Sequence, residues 1–437
     1  MVLRRMKPLS ISSHTCSPNA IPKSVRFDWQ SMFPECIECR GTKGMCGIAP
    51  CPLLVEVRSR LPVSESSRVL EMAGPSPPSV FVGRYGYPDV RAGLTASLSP
   101  DEGFSDSSNG DPAELFGRPL EEVAARHACL ITGGKRMGVS SAVSPDLVLE
   151  ATQLVAKSSS SVEVELDFSK PVSVGRSPTF DSMSTPLGPT GEVLRAEVIG
   201  NARVSRKIDS ISEEVDVLAS EAMGELVDSG TGEAQISRML SSGLLGKGEN
   251  RRLVPTRWGI TATDDTLGKR LWDRVRLLPS LDKVLVFDAS YLDNKFHIIL
   301  APGNWAFHMM EAWTGGSLWS ESGKIVEDWE EGVPRVKYAS RVTGAYYSAR
   351  LGVLEYLESL GRSGACLVWR DIGPGYWAPV GVWLIRETVR EALKGRGRSF
   401  DSLEEAIGFV GTMVSSPNKL RKSWFVNRSI QMRLDAF

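Results

Sequence analysis

The chain has 437 residues, 42% hydrophobic and 24% charged, with a net charge of −1. That length supports one large core or two to three smaller ones, and the near-zero charge excludes a polyelectrolyte, so any contact with nucleic acid needs a local basic face. No apolar run approaches the roughly 20 residues of a membrane span, and the start "MVLRRMKPLS" has no apolar stretch behind its charges, so neither a membrane helix nor a secretory signal is expected and the cytoplasm is the expected compartment.

Residues 1–70 are irregular, rich in Pro, Ser and Cys, and basic by five charges. Within them, "CIECRGTKGMCGIAPC" sets Cys36, Cys39, Cys46 and Cys51 at C-x2-C-x6-C-x4-C. Two thiolates on one tight turn reach a single ion, and four complete a closed tetrahedral shell of the kind Zn2+ favours. An iron–sulfur cluster accepts the same ligands; a pair of disulfides or free thiols is the alternative without metal. An odd total of seven cysteines suits a reducing compartment better than a secreted disulfide scaffold. Cys129 and Cys366 read as core residues.

Folded α/β material follows. "SVFVGRYGYPDV" (79–90) is a short strand entering a Gly/Pro turn, and there Arg84 and Tyr85 suit either a phosphate-binding turn or a tight turn with packed tyrosines. "PLEEVAARHACLI" (119–131) and "DLVLEATQLVAK" (146–157) show helical spacing. "SVEVELDF" (161–168) alternates apolar and acidic residues, the pattern of a half-buried strand. Residues 177–191 read as a loop. One helix is expected over 210–230, capped by Ser210 or Ser212 and ended by Gly230, and a second over 233–245.

"RLVPTRWGITATDDTLGKRL" (252–271) surrounds Trp258 and the pair Asp264-Asp265 with Arg251, Arg252, Arg257, Lys269 and Arg270. Arg beside an exposed Trp grips phosphates and stacks on bases, and adjacent carboxylates hold a divalent cation or serve as acid and base. The plainer expectation has Asp264 capping a helix over 266–277 and Trp258 in the core. Farther on come a hairpin turning at Asp293-Asn294, an amphipathic helix over 345–362 and a strand over 365–372. Asp371 follows with surface aromatics Tyr376 and Trp377, then a helix over 378–395 with Pro379 in its first turn and a last helix over 402–414. His297 and His308 are too isolated for ligands, and no Walker loop, dinucleotide fingerprint, GxSxG or HExxH occurs.

The chain finishes "SIQMRLDAF". Of the four glutamines only Gln431 is followed by an aliphatic residue at +3 and an aromatic at +6, Leu434 and Phe437. In a 3₁₀-like turn residues three apart eclipse, so Leu434 and Phe437 make one apolar plug with Gln431 at its rim. Arg428 and Arg433 suit an acidic partner surface. This is the Q-x-x-L-x-x-F clamp-binding pattern (PIP box), by which replication and repair proteins dock on the sliding clamp PCNA. It departs from the usual form in ending on one aromatic. The alternative is a tail packed on its own domain.

Taken together, the four-cysteine segment, "FVGRYGYP" (81–88), "VPTRWGITATDDTLGK" (254–269) and the terminal "QMRLDAF" resemble the archaeal Nre family of DNA repair proteins, over about residues 30–437. The resemblance implies a cytoplasmic role in DNA damage repair and clamp binding through Gln431, Leu434 and Phe437. It matches the metal reading of the four cysteines and supplies no catalytic mechanism. The expected architecture is α/β (mixed α+β). A metal-stapled module (1–70) precedes two α/β regions (71–250 and 251–420) and a flexible tail (421–437). The expected function is a clamp-recruited repair protein whose Arg84, Tyr85, Arg252, Arg257, Trp258 and Lys269 touch nucleic acid. The alternatives are an enzyme acting on DNA or a nucleotide around Arg257, Asp264 and Asp265, and a metabolic protein with an accidental tail match.

Overall fold

The computed structural model describes residues 45, 47, 55, 68–97, 110–174, 180, 184–315, 320 and 323–428. Cys36, Cys39, Cys46 and Cys51 lie outside the described residues, as do Gln431, Leu434 and Phe437. The fold is mixed α/β, as expected, and holds two six-stranded mixed sheets. The first is built from β1 (Arg68–Ser76), β2 (Val80–Val82), β3 (Asp89–Ser97), β4 (Leu130–Gly138), β5 (Val162–Ser173) and β6 (Thr190–Val198), in the order β1-β5-β6-β4-β3-β2. All its pairs are antiparallel except β4 with β6. In β5 the alternation seen in the sequence holds: Val162, Val164, Leu166 and Phe168 are buried while Glu163 faces water. Helices α1 (Leu120–Ala128) and α2 (Leu147–Lys157) belong to this half.

The expected helix over 210–230 is two helices, α3 (Arg206–Glu213) and α4 (Ala219–Asp228). Arg251 explains the break: its guanidinium donates to the carbonyls of Ser212 (2.6 Å) and Glu214 (2.5 Å), oxygens that a continuous helix would have used internally. Neither expected serine starts a helix; Ser205 caps α3, and at the start of α4 the Leu218 N–H donates to Glu221 (3.1 Å). Gly230 does end α4, with φ of +85°. Helix α5 (Glu233–Ser241) follows.

The expected helix start near 266 is also corrected. Helix α6 runs over Thr256–Val275, twenty residues entered from Pro255, with Asp264 at mid-length. Gly259 does not interrupt it, because it is where α5 comes close: a Cβ there would lie 2.4 Å from Ser241 Oγ.

The second sheet contains β7 (Val284–Tyr291), β8 (Asn294–Ala301), β9 (Ala306–Trp313), β10 (Ile325–Glu331), β11 (Ala365–Ile372) and β12 (Arg398–Phe400), in the order β10-β9-β11-β8-β7-β12. Only β9 with β11 is parallel. The hairpin turns at Leu292-Asp293, both at positive φ (48° and 56°), one residue earlier than expected. Asn294 stays in the strand because its side-chain oxygen accepts from Arg370 (2.7 and 2.9 Å). Helix α7 (Gly344–Leu360) ends at Gly361 as expected, but it is buried almost all round rather than amphipathic.

Helix α8 (Trp383–Leu393) starts later than expected, because Gly381 (φ +101°) turns the chain just before it. Tyr376 and Trp377 are buried, not surface groups; the Trp377 indole donates to Glu121 of α1 (3.3 Å). Helices α9 (Leu403–Gly411) and α10 (Pro417–Arg421) cover the other face of the second sheet, where Leu420 and Phe425 are fully buried. One large core spans both sheets and the helices between them. Cys366 lies in it, whereas Cys129 is only half-buried. Among the described residues, no helix is long and apolar enough to cross a membrane.

Candidate nucleic-acid interface

Between β2 and β3 the chain makes a turn through Gly83–Pro88. Gly83 N–H donates to the Arg91 carbonyl (2.8 Å) and Asp89 N–H to that of Gly86 (2.9 Å). Gly86 has φ of +85°, and a Cβ there would sit 2.6 Å from Arg136 Nη2, so the turn needs glycine at this point. The turn directs its tyrosines outward. Tyr85 is 78% exposed and Tyr87 50%, which corrects the reading of packed tyrosines. The Arg84 guanidinium lies 4.9 Å from the Tyr85 ring centre and donates to its hydroxyl (3.1 Å).

The turn is fastened to the start of α6. Val82 N–H donates to Thr256 Oγ1 (2.8 Å), which places Tyr87 against Trp258 with ring centres 5.4 Å apart. Trp258 is 45% exposed, so the core reading is overturned. The two distinctive stretches, 81–88 and 252–271, thus form one outward surface of Arg84, Tyr85, Tyr87 and Trp258, with Arg257 beside them. Arg252 stands ahead of the helix and donates to the Glu249 and Arg251 carbonyls (2.6 and 2.7 Å). Lys269 lies eleven residues beyond Trp258 on the same helical face, roughly 16 Å away. It pairs with Asp265 (2.6 Å).

Asp264 and Asp265 do not share a site. Adjacent helical residues point about 100° apart, and each carboxylate is taken by different partners. Asp264, 1% exposed, accepts from Arg386 (2.8 Å) and Ser348 (2.5 Å). Asp265 accepts from Arg350 (2.5 Å) and Lys269 (2.6 Å). Arg386 also meets Glu233 (2.7 Å), which meets Arg390 (2.7 Å), which in turn holds Glu355 and Glu387. Burial raises the Asp264 carboxyl above the ordinary carboxylate range, outweighing Arg386. Burial pushes Glu233 up too, but there Arg386 and Arg390 prevail and hold it down to about 2. Among the described residues no group of three or more His, Cys, Asp or Glu side chains is arranged to hold a metal.

Behind the turn, a cavity of about 100 Å³ opens between α5, α6, the start of β2 and the start of α8. Its lining includes Asp264, which the sequence singled out, and Glu233, Arg386 and Arg238, which it did not. A signal for the cavity was present. Glu233, Ser237 and Ser241 recur every four residues on α5, and Thr256 and Asp264 stand two turns apart on α6 with Ile260 between them, so polar groups occupy helical positions that face another helix.

Comparison with known proteins agrees with the resemblance. The family description "Archaeal Nre, N-terminal" matches residues 45–320, and "Archaeal Nre, C-terminal" matches residues 330–437. A "DNA repair protein NreB" of Archaeoglobus fulgidus is 35% identical over 408 residues, covering 92% of this chain and 100% of that protein. A "DNA repair protein NreA" of the same organism is 33% identical over 408 residues, covering 92% of this chain and 98% of its own length. A "DNA repair protein NreA" of Haloferax volcanii is 35% identical over 335 residues, covering 76% and 80% respectively. No solved structure matches.

Proposed function

This chain belongs to the archaeal Nre family, and we propose that it acts in DNA repair, presenting the Arg84–Tyr85–Tyr87–Trp258 surface to nucleic acid while the sliding clamp PCNA holds it through Gln431, Leu434 and Phe437. The relatives named as DNA repair proteins support the process. The observation that carries the nucleic-acid contact is the union of turn 83–88 with the start of α6. Exposed rings beside guanidiniums offer stacking faces and phosphate partners together.

The clamp reading is supported by the motif and by where the described chain leads. Phe425 is fully buried and Arg428 pairs with Glu331 of β10, so the motif begins within three residues of a packed anchor. A clamp bound there would raise the local concentration of nucleic acid at this molecule without a tight contact of its own. For Cys36, Cys39, Cys46 and Cys51 we propose Zn2+, with an iron–sulfur cluster as the rival; the four-thiolate donor set fits a closed structural site, and metal analysis before and after chelation decides between them. The cytoplasm is the proposed compartment. The enzymatic alternative around Arg257, Asp264 and Asp265 is poorly served by carboxylates each already held by two partners.

The test is titration calorimetry of the full chain against its own organism's clamp, beside a form lacking residues 431–437. Binding that disappears with those residues is expected. Equal binding by both, or none by either, overturns the clamp reading.

A further inference from the structure

We propose that the cavity between α5, α6 and α8 is a pocket for a single nucleobase, entered either by a base unstacked from a bound strand or by a free nucleoside; the strand-bound form rests on the nucleic-acid reading of the 83–88 turn. Two buried polar groups point to a ligand. Arg238 is 8% exposed, its Nε has no hydrogen-bond partner, and Nη1 reaches only the Gly110 carbonyl at 3.4 Å. Ser241 is fully buried and its Oγ has no partner. Leaving such groups unmatched is costly, and both lie in the cavity wall.

Charge narrows the class. Burial pulls Arg238 down to about 10, despite the nearby charges of Asp111 and Glu114. In the cavity wall itself, the guanidiniums of Arg238 and Arg386 stand with the carboxyls of Glu233 and Asp264, and Asp111 and Glu114 lie near Arg238. With Arg386 already paired to Glu233 and Asp264, the wall offers no surplus of free positive charge to hold a phosphate. The carboxylates are already committed to guanidiniums, which disfavours a metal ion. A heterocycle carrying both donors and acceptors suits the lining, and Val80, Ile260 and Trp383 supply apolar walls against which its faces can pack. One water needs about 10–15 Å³ of such space, so the cavity takes roughly seven, close to the bulk of a ring system of about ten heavy atoms.

Access fits as well. Gly110, Pro112, Ser184 and Thr185 form a half-buried rim. That rim is fixed to the start of α8 where Gly381 meets the Ser184–Thr185 backbone: a Cβ would be 3.0–3.2 Å from it. Val80 lines the cavity, and the turn residues Arg84–Tyr87 follow it within about 15–20 Å of extended strand. A strand held on the turn therefore brings a flipped nucleotide to the rim.

The experiment uses the full chain and the fluorescence of 2-aminopurine, as the free riboside and as one base in a single-stranded oligonucleotide. Ala234, half-buried in the cavity wall, is replaced by Phe to fill the space; Arg238→Gln is the second variant, and circular dichroism melts verify that each is folded. Saturable riboside binding is expected, weakened about tenfold or more by Ala234→Phe, with no competition from inorganic phosphate. The oligonucleotide should bind wild type and Ala234→Phe equally, but its fluorescence should change only on wild type. A protein that binds the oligonucleotide and not the riboside, or binds the riboside equally well after Ala234→Phe, overturns the pocket. Competition by phosphate also overturns it, in favour of an anion site. Riboside binding lost in Ala234→Phe, from a protein that fails to bind the oligonucleotide, leaves the pocket standing and removes the surface reading instead.

Discussion

Helix α6 carries two clusters of similar chemistry only six residues apart. Around Trp258, arginine and aromatic side chains face water, with Tyr85 and Tyr87 more than half solvated or nearly so. Around Asp264, arginines and carboxylates are sealed inside, with Arg350 at 0% exposure and Arg386 at 4%. The same residue types do opposite work. A buried ion pair costs so much desolvation that its net contribution is small, yet breaking it strands a charge. An exposed guanidinium beside a ring contributes little to the fold and leaves its faces available to a ligand. Burial, more than composition, separates the cluster that holds the protein together from the one that can hold something else.

The largest effect should come from the buried side. Arg386→Ala leaves Asp264 and Glu233 facing each other without their shared cation, and a loss of roughly 3–5 kcal/mol is expected in urea unfolding. A loss below about 1 kcal/mol would mean that water enters the network and that the contrast with Trp258 is weaker than burial indicates.

Acid sharpens the same point. Glu233 is held down to about 2 in the fold against an ordinary 4.5. A depressed carboxyl contributes stability that is complete above about 4.5 and lost as pH falls toward 2, up to about 3 kcal/mol in this window. Asp264 is raised, so its contribution has the opposite sign and grows as acid protonates it. Glu233→Gln should therefore flatten the acid limb of the stability curve between pH 4.5 and 2, measured by denaturant midpoints at several pH values. An unchanged limb would show that Arg386 and Arg390 do not hold Glu233 below its ordinary value.

On the exposed side, Trp258→Ala should change stability by less than about 1 kcal/mol but weaken binding to single-stranded DNA by about 1–3 kcal/mol. Fluorescence anisotropy at fixed salt reads the affinity, and thermal melts read the fold. A large fall in stability with unchanged affinity would move Trp258 to the structural group.

Much of this arrangement was legible along the chain where neighbours decide it. The alternation at 161–168 gave a strand that in the fold runs on to Ser173, and the stretch Ala365–Ile372 gave one with its expected bounds, because local residues decide a strand's faces. The environment of Asp264 was not legible, since its partner Arg386 lies 122 residues away. Without that partner an Asp near a helix start reads as a cap. Nor could the split at 214–218 be seen, since Arg251 makes it from 37 residues away. The surface is the reverse case. Both of its stretches stood out in the sequence, and the structure added that Val82 and Thr256, 174 residues apart, join them and that Tyr85, Tyr87 and Trp258 face water rather than the core.

Lys269 offers the smallest and finest test. It is 44% exposed, pairs with Asp265 and lies roughly 16 Å from Trp258 along the helix. Its ion pair should be worth less than about 0.5 kcal/mol to the fold, as for other exposed i,i+4 pairs. If a bound strand follows α6, Lys269→Ala removes one phosphate contact and lowers the slope of log affinity against log salt by about 0.7–1. If the strand instead turns from Trp258 toward the cavity rim, the slope is unchanged by Lys269→Ala while Arg84→Ala lowers it. Salt titrations of both variants therefore trace the path of the strand, and a slope unaffected by either would place the phosphates on neither, breaking the assignment of this face to nucleic acid.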